Sequence, residues 1–118
     1  MKYEIELKDY WSIKSLNDNY GYLLNNGASS AVDLESNIAY IFGGFNAEHF
    51  MSLKLIKFDL KTEEFEIYDE LDVELRINHE MHFYNNKIYI IGGLKYLHHK
   101  NFEILKEIII YDVNNKNY

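Results

Sequence analysis

The chain has no cysteine and no proline. Without cysteine it can form neither disulfides nor thiolate metal sites, and nothing in its thiol content marks a redox compartment. The missing proline accompanies abundant Asn, Lys, Ile and Tyr, a bias that reads as AT-rich coding rather than a structural demand. An excess of positive charge is also absent. Lys and Arg total 12 against 19 Asp and Glu, a formal net charge of −7, and the basic residues do not cluster. Such a chain repels phosphate backbones, so no nucleic-acid partner is expected. No apolar run approaches the length needed to span a bilayer. The opening residues Met1-Lys2-Tyr3-Glu4-Ile5-Glu6 are charged and lack the apolar core of a secretory signal. These absences lead us to expect a soluble, intracellular protein of the cytoplasm with no membrane partner.

What is present is aromatic and repetitive. Eleven Tyr, seven Phe and one Trp sit in a chain that is 47% apolar, too apolar for a disordered segment. Asn37-Ile38-Ala39-Tyr40-Ile41-Phe42-Gly43-Gly44 returns as Asn86-Lys87-Ile88-Tyr89-Ile90-Ile91-Gly92-Gly93. Each Gly-Gly is followed by an apolar run that ends in aromatic-Asp, Phe58-Asp59 and then Tyr111-Asp112. A second aromatic, Phe65 or Tyr118, follows seven positions later. A period of about 50 residues is the signature of a repeat architecture.

Strand patterns fill the repeats. In the first, residues 30–34 read as a strand, 35–37 as a tight turn and 38–42 as a short buried strand. Residues 45–52 read as a loop, 53–60 as a third strand, 61–64 as a turn and 65–68 as a fourth strand. The second repeat copies this order: strand 79–84, turn 85–86, strand 87–91, a longer loop over 94–106, strand 107–113 and a turn at 114–115. Only Asn117-Tyr118 remains to begin a fourth strand. A short helix over 96–107 is the second choice for the long loop. Residues 3–16 carry Tyr3 and Tyr10 at the same spacing and read as the last two strands of a preceding unit. The expected organisation is a strand pair over 1–16, a linker over 17–27, one repeat over 28–71 and a second over 72–118 with its last strand cut short.

These residues resemble the kelch repeat, the unit of one class of β-propeller. Gly43-Gly44, Phe58-Asp59 and Phe65 match its pattern in the first repeat, and Gly92-Gly93, Tyr111-Asp112 and Tyr118 in the second. The family often carries Arg before its first strand and His three residues on, as Arg76 and His79 do here. Phe65 and Tyr118 depart from it by standing where the family has Trp. The likeness covers residues 27–118 well and 3–16 weakly. It implies an all-β fold, a partial kelch-type propeller of antiparallel four-stranded blades: one complete, one nearly complete, preceded by the N-terminal strand pair. The shared residues are then framework. Gly pairs permit a sharp chain exit, aromatics fill the wedge between blades, and Asp59 and Asp112 bond backbone N–H groups in the turns they open. Propellers usually have about 4–8 blades, so two do not close a ring. Three outcomes stay open, in this order: a fragment of a longer product, several copies completing a ring as a homo-oligomer, or an open sheet pair.

Function is expected in loops held by rigid sheets. The resemblance implies that the loops after each Gly-Gly, residues 45–50 and 94–101, gather on one face with the links near 17–26 and 69–76. Candidate partner contacts are Phe45, Asn46, His49, Phe50, Arg76, Tyr96, His98 and His99, with the exposed aromatics as anchors. His98-His99 has no third ligand at metal spacing, and no metal or cofactor is expected. No phosphate-cradling loop or nucleophile elbow occurs. Some kelch-type propellers are enzymes, one of them a copper oxidase that needs a Tyr–Cys cross-link, which a chain without Cys cannot form. The expectation is therefore a non-enzymatic kelch-type binding module or scaffold for a protein partner. The alternatives are part of a sugar-isomerising or oxidising propeller enzyme, or a degenerate kelch fragment.

Overall fold

The computed structural model describes residues 26–45, 53–97 and 101–118, and they form an all-β structure. The proposed strand pair over 1–16 and most of the linker lie outside the described residues. Strands β1 (Ser29–Asp33), β2 (Ile38–Phe42), β3 (Lys54–Asp59) and β4 (Phe65–Glu70) make a four-stranded antiparallel meander. Strands β5 (Glu80–Tyr84), β6 (Lys87–Ile91) and β9 (Ile108–Asp112) make a three-stranded antiparallel sheet. Between β6 and β9, β7 (Leu94–Tyr96) and β8 (Phe102–Ile104) form a separate two-stranded ribbon. Residues 94–96 and 102–104, within the segment expected as a plain loop, are therefore strands and not the alternative helix. Among the described residues no helix is long and apolar enough to cross a membrane.

Local chemistry sets the turns. Asp33, Asp59 and Asp112 each end a strand, and each Oδ1 accepts from the N–H groups two and three residues on, at 2.8–3.3 Å. In all three the fourth residue after Asp (Asn37, Glu63 or Lys116) takes positive φ. Such Asx turns replace ladder bonds where the chain reverses. Those bonds also hold the Asp59 and Asp112 carboxyls below the usual carboxylate range. The β5–β6 hairpin uses Asn85 and Asn86 at φ 50° and 60°, the residues a two-residue turn of this hand favours.

The core lies between the two larger sheets. Ala31, Ile38, Tyr40, Phe42 and Leu55 of the first meet Met81, Ile88, Ile90, Tyr111 and Val113 of or beside the second, with Leu71 from the link. Tyr40 stacks on Phe83 at 5.9 Å and meets Tyr68 edge-on. Two phenols bridge the sheets: Tyr68 donates to the Val113 carbonyl and Tyr111 to Asp69, each at 2.6 Å. Of the framework aromatics, Phe58 packs on Phe65 at 4.4 Å and Tyr111 on Tyr118 at 6.3 Å.

Candidate binding surface

The link from the first sheet to the second threads between the two Gly-Gly turns. Gly44 N–H donates to Arg76 O, Asn78 N–H donates to Gly27 O, and Ile77 exchanges two bonds with Leu94, all at 2.8–3.0 Å. Gly43 and Gly93 leave the space this link fills. A Cβ on Gly43 would lie 2.3 Å from His79 Cε1, and one on Gly93 2.9 Å from both His79 Cβ and Ile77 O. The buried His79 sits between them, its Nε2 2.8 Å from Phe42 O, and burial pushes its imidazole pKa down. That bond makes Nε2–H the donor, and Nδ1 is buried without a partner among the described residues.

Arg76, expected among the partner contacts, is fully buried. Its Nε donates to Glu74 O at 3.1 Å, one terminal nitrogen to Gly92 O at 3.2 Å, and the other to Glu107 Oε1 at 2.6 Å. The guanidinium fork is thus used internally, tying the link to the second Gly-Gly turn and to the approach to β9. With no accessible surface, its side chain does not face a partner in this structure.

The other candidates divide cleanly. Phe45 is half-buried and exchanges two 2.9 Å backbone bonds with Asn26, continuing the β1–β2 register past Gly43-Gly44. Asn46, His49, Phe50, His98 and His99 lie outside the described residues. Tyr96 is exposed on the ribbon, edge-on to Phe102 across the strand pair at 5.6 Å. Leu97, Phe102 and Ile104 are exposed beside it. These three were missed from the sequence, although Leu94-Lys95-Tyr96 and Phe102-Glu103-Ile104 each show the period-2 alternation of a strand.

The ribbon is fixed at its base. The Ile77–Leu94 bonds hold β7, Leu105 N–H donates to Gly93 O at 2.9 Å, and Lys95 Nζ lies 2.9 Å from Glu74. That carboxylate raises the Lys95 pKa. The surface therefore offers aromatic and aliphatic side chains on a hydrogen-bonded support. Among the described residues no group of three or more His, Asp or Glu side chains could hold a metal ion.

No protein-family model matches this chain, and no curated protein matches it. Solved structures do. The structure of YjhT aligns with a TM-score of 0.63 at 15% identity, covering 79% of this chain and 26% of YjhT. The two share a fold, and the chain spans about a quarter of YjhT's length.

Proposed function

We propose that the chain is a kelch-type repeat module, part of a β-propeller, which binds a protein partner through the β7–β8 ribbon. The observation that carries this reading is the ribbon itself. It interrupts the second repeat with a supported strand pair that exposes Tyr96, Leu97, Phe102 and Ile104 together. Side chains ordered in advance lose less entropy on docking, and aromatic anchors on a rigid base suit a protein interface.

The blade reading draws support from how the sheets stack. Tyr40, Phe42 and Leu55 of the first sheet are buried in the shared core. Their counterparts by repeat position are Tyr89, Ile91 and Ile108, on the face the second sheet turns away from the first. Ile91 and Ile108 are exposed. One repeat thus packs onto the next head to tail, with opposite faces in contact, as successive blades do. The same logic admits a ring completed by further copies, which the solution mass of the purified chain tests directly: a strict monomer removes it.

The binding reading is tested by replacing Tyr96, Phe102 and Ile104 with Ser together. Proteins captured by wild-type and variant chains are compared by quantitative mass spectrometry, with circular dichroism and urea midpoint as fold controls. The expected outcome is loss of specific captured proteins with fold retained. An unchanged captured set from a folded variant would refute the ribbon as the contact surface.

A further inference from the structure

The gap between the two Gly-Gly turns holds a titratable ring in a form that cannot take up a proton in place. His79 is 4% exposed. Its Nε2–H donates to Phe42 O at 2.8 Å, and the Phe42 ring meets it edge-on at 5.8 Å. Among the described residues nothing donates to the buried Nδ1. A proton there creates an N–H with no acceptor and a charge with no counter-ion. The charged groups nearby oppose that charge or are already engaged. Arg76, from the link, bears on the ring with a positive charge. Glu107, on the approach to β9, is bonded to Arg76 at 2.6 Å, and at the ribbon base Lys95 and Glu74 pair with each other at 2.9 Å. Glu80, the next residue along β5, is bonded to His82 at 3.3 Å. Phe42, Gly43 and Gly93 complete the gap and carry no ionisable side chain.

A charged imidazole therefore has to leave the gap, whose two walls differ in strength. One wall is Gly43, at the end of β2. That strand is paired on both sides, with β1 and β3, and its Tyr40 and Phe42 are buried in the core. The other wall is Gly93, packed against His79 Cβ. Gly93 leads into the β7–β8 ribbon, whose own side chains are largely exposed. Beyond Gly93 the ribbon is held to the link by the two Ile77–Leu94 bonds and the Lys95–Glu74 pair. The ribbon wall is the one that yields. Gly92, bonded to Arg76 and to Glu107, stays in place and marks the hinge.

We propose that His79 is an acid-sensitive latch for the ribbon: taking up a proton ejects the imidazole, parts Gly93 and Leu94 from the link, and removes the support beneath Tyr96, Phe102 and Ile104. The chain thus presents this surface at neutral pH and withdraws it in acid. The regulation rests on the reading of the ribbon as the contact surface. Linkage sets its size. A released imidazole titrates near 6.5 and the latched one below that, because burial disfavours its charge. Each pH unit below 6.5 favours opening by up to tenfold, which amounts to about 30-fold between pH 7.5 and 5.0.

The test is amide exchange of the full chain, followed by NMR across that pH range and corrected for intrinsic rates. The Leu94 and Leu105 amides close the ribbon base. They should be less protected than the core amides of β2 and β6 at every pH, the mark of an opening smaller than global unfolding. Their protection should fall by about 30-fold from pH 7.5 to 5.0. His82→Gln should keep this slope. His79→Gln, whose amide can still donate to Phe42 O, should lose it. Ring nitrogen shifts of the wild-type chain give a second readout that needs no variant. His79 should be in the neutral Nε2–H form at pH 7.5 and should gain its charge together with the loss of ribbon protection. A flat slope in the wild type, the same slope in His79→Gln, an Nδ1–H or charged ring at pH 7.5, or ribbon-base protection equal to that of the core overturns the latch. None of these measurements needs a partner. Failure of the latch therefore shows in the amides and the ring, whereas failure of the ribbon as contact surface shows only in the proteins captured by the Ser-substituted chain.

Discussion

Replacing Arg76 with Met keeps most of the buried aliphatic volume and removes the guanidinium. Three acceptors then lose a charged donor: Glu74 O, Gly92 O and Glu107. A hydrogen bond to a charged group contributes about 1.5–3 kcal/mol net, but these three losses are unequal. The Glu107 side chain is 49% exposed and Glu74 lies at the surface, so water recovers part of both. Gly92 O, at the turn that enters the ribbon, is less accessible to water. Discounting the exposed partners, Arg76→Met should cost about 3 kcal/mol, near the lower end of what breaking a buried pair costs. With a urea slope of about 1.5 kcal/mol/M, the midpoint falls by about 2 M. Arg76→Lys should recover little, because one ammonium cannot reach three separated acceptors in the fork geometry. Equilibrium urea unfolding followed by tyrosine fluorescence and circular dichroism measures both. A drop below about 0.5 M for Arg76→Met, or full recovery by Lys, would show that the guanidinium does not hold the link.

Three further predictions follow from named contacts. Burial lowers the His79 pKa below its unfolded value near 6.5, so the unfolded chain holds more protons just below that pH. Stability should fall as pH drops below about 6.5, and thermal melts from pH 7.5 to 5 should show a shallower fall in His79→Gln, whose amide can still donate to Phe42 O. Gly43→Ala and Gly92→Ala should separate widely in urea midpoint. Both need positive φ, which costs an alanine about 1–2 kcal/mol, but only at Gly43 does the added carbon collide with His79 and with Arg76 O, whereas at Gly92 the nearest atom is 3.4 Å away. Burial pushes the Tyr40 phenol up to about 12, and burial with the Asp69 bond pushes Tyr111 further. Stability present below pH 10 should therefore be lost as pH rises through 12, and absorbance titration should show these two phenols ionising only near alkaline unfolding.

The parts of the fold legible in the sequence are those fixed by neighbours in the chain. Residues 38–42 and 87–91 have the bounds read from the sequence, because each is a short, mainly apolar run between an Asn turn and a Gly pair. The turn-opening role of Asp59 and Asp112 was equally local. Asp33 makes the same turn and was missed, because no aromatic precedes it. The ribbon was missed because its strands are three residues each, below the length at which alternation separates a strand from a loop. Arg76 was misread for a different reason. A charged residue in a polar link looks exposed until Gly92 and Glu107, 16 and 31 residues away, are seen to converge on it. The hydroxyl partners of Tyr68 and Tyr111 lie more than 40 residues away and leave no trace in the pattern.

The thread of Arg76, Ile77 and Asn78 between the Gly pairs has a consequence for how the molecule comes apart. Its backbone is bonded at once to Gly27 and Gly44 beside the first sheet and to Leu94 beside the second, and its arginine to Gly92. Opening either sheet strips bonds from a segment the other depends on. The two repeats should then behave as a single cooperative unit in hydrogen exchange, with core amides of β2 and β6 released by the same global event. The boundary between residues 71 and 72 is visible in the sequence as the joint between two units, yet along that joint the protein is least divisible.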